Sequence, residues 1–139
     1  MATGSPYGCH RVLSPVGVLP QPAWQLDNRA AIWDNEILIT VDALNVDAAS
    51  FTQIRRQVGD DPEKVAQAVQ DIVAQRGKLH NPVTGSGGML IGRVVEIGPA
   101  LRDKVALQLG QRVATMVSLS LTPLHIERVK AVHLSQDQI

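Results

Sequence analysis

One cysteine, Cys9, stands in a chain of 139 residues, so neither an internal disulfide nor a multi-cysteine zinc site can form. No catalytic motif surrounds Cys9, and it reads as an ordinary thiol near a terminus. Aromatic residues are scarce: two Trp, one Tyr and one Phe. Thirteen basic residues are balanced by thirteen acidic ones. A chain with no basic surplus and no arginine–aromatic interleaving is not expected to bind nucleic acid. No apolar run approaches the length that spans a bilayer, and no membrane contact is expected. The N-terminus lacks the basic and apolar regions of a signal peptide, which makes a cytoplasmic protein the expectation. His10, His125 and His133 are scattered without metal-ligand spacing, so no metal site is expected. Repeats and low-complexity runs are absent too. No Gly-x-Gly-x-x-Gly follows a strand and opens a helix. Gly85-Ser-Gly-Gly88 precedes a strand instead, and so lacks the helix N-terminus that cradles a pyrophosphate. A dinucleotide-binding (Rossmann) domain is therefore not expected within these residues.

What is present suits one soluble globular domain: hydrophobic residues make up 45% and charged ones 19%. Residues 1–30 carry Pro6, Pro15, Pro20 and Pro22 and are expected to form an extended arm with short strand pieces at most. Val12, Val16, Val18 and Leu19 are its candidate anchors. Glu36 to Asn45 is the first convincing strand, rich in β-branched residues and preceded by an Asp34-Asn35 turn. Asp61-Pro62 supplies an N-cap and a first-turn proline. Val65, Val69, Ile72 and Val73 then share one helical face, and Gly77 is a natural stop. A helix over 61–76 follows. Arg93–Ile97 and Arg112–Val117 read as strands, joined by a loop anchored on Leu101, Val105 and Leu107. Strands dominate this reading, with one inserted helix, and the expected fold is mainly β (α+β), a partly open barrel over 31–139.

Asn81-Pro-Val-Thr-Gly-Ser-Gly-Gly-Met-Leu-Ile-Gly-Arg-Val-Val-Glu-Ile-Gly98 and Leu109-Gly-Gln-Arg-Val-Ala-Thr115 lay out a glycine bend, a strand, a turn and a second strand. That layout resembles the chaperonin-10-like substrate domain of medium-chain dehydrogenases/reductases. Tyr7-Gly-Cys-His-Arg-Val, Gly17-Val-Leu-Pro-Gln-Pro-Ala23, Ala43-Leu-Asn-Val-Asp-Ala-Ala-Ser-Phe-Thr-Gln-Ile54 and Ser118-Leu-Ser-Leu-Thr-Pro-Leu124 sharpen the resemblance. Over about residues 7–130 the chain resembles the L-erythro-3,5-diaminohexanoate dehydrogenases of lysine fermentation. The resemblance implies an NAD-dependent oxidative deamination of a small diamino acid, giving 5-amino-3-oxohexanoate and ammonia. It also implies further barrel strands and a Rossmann domain beyond Ile139, so the chain reads as an N-terminal part, inactive alone, of a homo-oligomeric enzyme. Zinc-dependent relatives place metal ligands where this chain has Asp47, Gly88 and Met89, and glycine cannot be a ligand. The implied enzyme therefore uses NAD without zinc.

Candidate site residues follow from that alignment. Asp47 occupies the metal-ligand position and could hold an ammonium or take a proton, the alternative being a turn cap. His80, just before the glycine bend, is the histidine best placed as a general base. Asn45, Ser50, Thr84 and Ser86 are candidate substrate contacts, with Ser50, Thr52 and Gln53 lying where the superfamily places a short cleft-facing helix. Gly87 and Gly88 are candidates for close approach of the cofactor. Two further readings stand beside this one: a zinc-free quinone reductase-like relative, and a non-enzymatic chaperonin-10-like binding module.

Overall fold

The computed structural model describes residues 1–139. Two short strands, β1 (Val12–Ser14) and β2 (Gln25–Leu26), pair antiparallel in the N-terminal arm. Two ten-residue strands follow, β3 (Ile37–Val46) and β4 (Gly88–Ile97), and a short β5 (Arg112–Ala114) completes an antiparallel sheet in the order β3-β4-β5. Between β3 and β4 lie helices α1 (Ala48–Val58) and α2 (Pro62–Arg76). The sheets are open, and helix and strand contents are similar. The open sheets agree with the expected partly open architecture, whereas the mixed α/β content with two helices corrects the expectation of a mainly β fold with one helix. The second helix, α1, covers the Ser50–Gln53 region where the resemblance places a short helix, though the residue pattern alone does not show it. Its polar residues disguise a helical period of Phe51 and Ile54, both buried, and half-buried Val58.

α2 forms where its caps and period place it. Asp61 accepts from the N–H groups of Glu63 and Lys64, Pro62 opens the first turn, and Gly77 ends the helix in the left-handed conformation. Val65, Val69 and Val73 recur every four residues and are buried, with Ile72 half-buried beside them. They pack with Phe51 and Ile54 of α1, Leu44 and Val46 of β3, Leu90 of β4, and Leu79, Leu119 and Leu124 from the loops. Phe51, the sole phenylalanine, has 0% exposure, and burying it contributes roughly 1.5–3 kcal/mol.

The arm packs separately on Val12, Ala23 and Leu26, with Val18 beside them. Val16 and Leu19 are exposed, so only two of the four expected anchors are used. Buried Arg11 does the rest. It pairs with both carboxylate oxygens of Glu36 at the head of β3, at 2.8 Å for Nε to Oε1, and donates to the carbonyls of Arg29 and Ala31. Leu101, Val105 and Leu107 are half-buried under their loop. β5 is shorter than its sequence suggests: Thr115 still bonds to Leu90 of β4, its N–H reaching the Leu90 carbonyl while its hydroxyl accepts from the Leu90 N–H, but Met116 and Val117 lie outside the sheet. No helix is long and apolar enough to cross a membrane.

Candidate functional site

Where β3 ends, Asp47 caps α1, accepting from the Ser50 N–H on Oδ1 at 3.0 Å. This is the local capping role, and it leaves Oδ2 without a protein partner. The Asp47 N–H donates to the Gly87 carbonyl at 2.9 Å, which draws the 81–88 bend onto the helix N-terminus. There three hydroxyls meet: Ser50 Oγ lies 2.7 Å from Thr84 Oγ1 and 2.8 Å from Ser86 Oγ, and those two are 2.9 Å apart. Each hydroxyl can donate once and accept twice, so a closed ring uses all three protons, and one donor turns outward only if the ring opens. The backbone N–H groups of Thr84 and Ser86 make no hydrogen bond within the chain, and the first amides of α1 have no intrahelical acceptor. The bend thus brings two unpaired backbone amides and a hydroxyl ring to a helix whose cap leaves one carboxylate oxygen free.

The two central glycines press against the chain itself. A Cβ at Gly87 would lie 2.4 Å from the Leu79 carbonyl oxygen and 2.8 Å from the Ser120 nitrogen. One at Gly88, whose φ is +142°, would lie 2.1 Å from the Asn45 carbonyl oxygen. Gly85 instead has φ +70° and open space around it. Asn45 is engaged from the other side: its Oδ1 accepts from Gln138 Nε2 at 2.9 Å, tying it to the C-terminal tail.

His80 lies at the root of the bend with Nδ1 buried and unpartnered. Burial pushes its pKa down to about 4, with the Lys78 and Arg76 charges adding to the effect and a Gly85 backbone hydrogen bond opposing it. The imidazole is therefore neutral near pH 7. It can accept a proton there, but only weakly. Lys78 is itself fully buried, and burial, then the Arg76 charge, brings its pKa to about 8. Its ammonium donates to the carbonyls of Pro20 and Gln21 at 2.7 and 3.1 Å. Arg76 reaches the carbonyls of Ala23, Trp24 and His80 and stacks 4.3 Å above the Trp24 ring. The arm thus backs the bend through two cations.

Asp47, Ser50, Thr84, Ser86 and Gly87 are therefore gathered at one place, with Gly88 and His80 at its margins. Sequence reasoning passed over Asn81, the residue that holds the bend's shape. It is buried, and its N–H reaches the Ser86 carbonyl at 2.9 Å while its own carbonyl accepts from Gly85 at 2.8 Å. Its side chain accepts from the Val83 N–H and donates to Gln53, both at 2.9 Å. The Asn81-Pro82 pair was the available signal, since asparagine before proline favours a turn. No three His, Cys, Asp or Glu side chains converge to hold a metal.

The signature of the L-erythro-3,5-diaminohexanoate dehydrogenase N-terminal domain spans residues 10–139. The chain belongs to that family. The L-erythro-3,5-diaminohexanoate dehydrogenase of Fusobacterium nucleatum is 54% identical over 139 residues, all of this chain and 40% of that protein. The enzyme of the same name from Acetoanaerobium sticklandii is 52% identical over 136 residues, 98% of this chain and 40% of its own. The chain thus spans about 40% of the length of the curated dehydrogenases it matches.

Proposed function

We propose that this domain handles the substrate of an NAD-dependent dehydrogenase that oxidatively deaminates L-erythro-3,5-diaminohexanoate. Identity above half along the whole chain to two dehydrogenases of that name is the observation that carries the reading. NAD would take the hydride from C3, and the imine left behind would hydrolyse to 5-amino-3-oxohexanoate and ammonia. The residues here do not fit the cofactor's pyrophosphate: β3 runs into α1 through Asn45-Val-Asp47 with no glycine turn, and the glycine bend leads into a strand. Cofactor binding is accordingly assigned to residues outside this domain, and the finer fold to a chaperonin-10-like barrel that further strands complete.

Each part of the substrate has a counterpart at the bend. The free amides of Thr84 and Ser86 suit the carboxylate at the helix N-terminus, with a hydroxyl of Ser50, Thr84 or Ser86 added as the ring opens. Asp47 Oδ2 suits an ammonium. His80, neutral but with a pKa of about 4, is a weak candidate for taking the proton an amine sheds before hydride leaves. The site is proposed to work without zinc, in a cytoplasmic homo-oligomer.

The test joins residues 1–139 to the remainder of the Fusobacterium nucleatum relative. The chimera is assayed with L-erythro-3,5-diaminohexanoate and NAD by the rise in reduced-nicotinamide absorbance. Turnover of the diamino acid is expected. A chimera that reduces quinones and leaves the diamino acid untouched would sink the reading.

A further inference from the structure

The glycine bend lies along one stripe of α1 and its cap, antiparallel to the helix and in step with it. The Asp47 N–H donates to the Gly87 carbonyl, Ser50 Oγ meets Thr84 Oγ1 at 2.7 Å, and Gln53 Oε1 accepts from Asn81 Nδ2 at 2.9 Å. Three residues along the helix, a rise of about 4.5 Å, thus match three residues along the bend at each step. Inside the bend, Asn81 holds every second peptide unit. Its side-chain oxygen accepts from the Val83 N–H at 2.9 Å, its carbonyl accepts from the Gly85 N–H at 2.8 Å, and its own N–H reaches the Ser86 carbonyl at 2.9 Å. The peptide units between these carry the Thr84 and Ser86 N–H groups, which have no partner in the chain. One buried asparagine therefore fixes the direction of both free donors. Its side chain leaves the bend through a single hydrogen bond, the one to Gln53.

The polarity of that bond follows from its surroundings. The Val83 N–H claims the Asn81 side-chain oxygen, so the amide nitrogen faces Gln53, and Gln53 has to answer with an oxygen. Gln53 Nε2 is then turned toward exposed Gln57, whose Oε1 accepts from it at 3.1 Å. We infer that Gln53 and Asn81 are a positioning pair: their bond sets how the Thr84 and Ser86 amides stand relative to Asp47, and so which separation of carboxylate and ammonium the domain accepts. Gln53 acts through the bend and touches no substrate. Its bearing on the diamino acid rests on the function proposed above. The pair holds the donors assigned to the substrate carboxylate, so losing it raises the KM for the diamino acid and spares the KM for NAD.

Asn81 is 1% exposed and its replacement risks the fold, so the variants are made in the chimera at half-buried Gln53. Gln53→Glu keeps the acceptor, Gln53→Met removes it, and Gln53→Lys sets a donor against a donor, all three with good helix formers. Gln53→Met and Gln53→Lys should each raise the KM for the diamino acid about tenfold, the effect of a buried amide donor left unpaired, while Gln53→Glu stays near the parent. The lysine variant separates position from charge, since a cation alone would draw a carboxylate in and lower KM. Amide exchange over 81–86, read by mass spectrometry in the same proteins, should quicken about tenfold in Gln53→Met and Gln53→Lys but not in Gln53→Glu. Unaltered exchange in Gln53→Met would overturn the positioning pair. Faster exchange with an unchanged KM, or a KM lowered by Gln53→Lys, would overturn its bearing on substrate. An unsubstituted chimera that leaves the diamino acid untouched would instead sink the function proposed above and the link to substrate with it, and the exchange comparison would still decide the tether.

Discussion

Gly85 and Gly87 sit two residues apart in one bend and need glycine for different reasons. At Gly87 an added methyl meets backbone on two sides, so Gly87→Ala should cost about 3 kcal/mol, at the upper end of overpacking effects. At Gly85 only the left-handed φ opposes a side chain, and Gly85→Ala should cost about 1 kcal/mol. Urea denaturation of the two variants checks the order, and a costlier Gly85 would mean the bend is not pressed onto Leu79 and Ser120. Asp47 is the residue where capping and chemistry compete. Asp47→Asn keeps an oxygen for the Ser50 N–H and removes the charge, so the fold should persist. In the chimera, a raised KM with kcat little changed is expected if Oδ2 only holds an ammonium, and a fall in kcat as well if it takes the proton. Unchanged kinetics would leave Asp47 a helix cap alone.

At the scale of elements, three buried basic groups, Arg11, Arg76 and Lys78, and one carboxylate, Glu36, fasten the arm to the body, and Glu36 and Lys78 leave marks on pH dependence. Burial alone would raise the pKa of Glu36. Hydrogen bonds from Arg11, the Trp33 N–H and His10 outweigh it and hold the group down at about 2, against an ordinary 4.5. A depressed folded pKa contributes stability that is present above 4.5 and lost as pH falls toward 2. Glu36→Gln should cost about 3 kcal/mol at neutral pH by leaving Arg11 buried without its anion, and should flatten the acid limb of stability against pH. Lys78 works in the opposite direction. Its folded pKa lies below the ordinary 10.5, so the unfolded chain holds the extra proton between about 8 and 10.5, and stability rises with pH across that window. Denaturation midpoints measured through the window should climb, and Lys78→Met should abolish the climb. A flat wild-type profile would mean Lys78 keeps its proton, held by the Pro20 and Gln21 carbonyls.

For the whole molecule, the topology contains a glycine bend seated on a helix N-terminus and no strand–glycine-turn–helix unit. The strand–helix junction at Asp47 carries no glycine turn, and the glycine bend feeds a strand. Titration calorimetry of residues 1–139 with NADH should therefore show no binding in the micromolar range, whereas the chimera should bind it. Micromolar binding to the isolated chain would require a cofactor site in the open sheet and would change the assignment of the glycine bend. The molecule is mixed α/β with open sheets, and β3 is bare along most of one side.

The features the sequence determined by itself are those written in neighbouring residues. Asp61-Pro62, a four-residue valine period and Gly77 specify α2 within one segment, because capping, helical period and the left-handed stop act over a few residues. β3 was legible from β-branched content, and its partner β4 from the strand after the glycine bend, though β4 begins at Gly88 rather than Arg93. Family membership was likewise legible, since long motifs survive in the linear order of residues. Only the tertiary structure decided what depends on distant residues. The Ser50, Thr84 and Ser86 ring joins positions 34 and 36 apart, Asn81 reaches Gln53 across 28, and Asn45 is claimed by Gln138 across 93. Buried Arg11 and Lys78 look like surface residues in the sequence, because their partners are Glu36 and carbonyls 18 to 58 positions away. A propensity or a spacing senses only what lies within a turn or two of chain, whereas hydrogen bonds and burial are settled by which segments the core brings together.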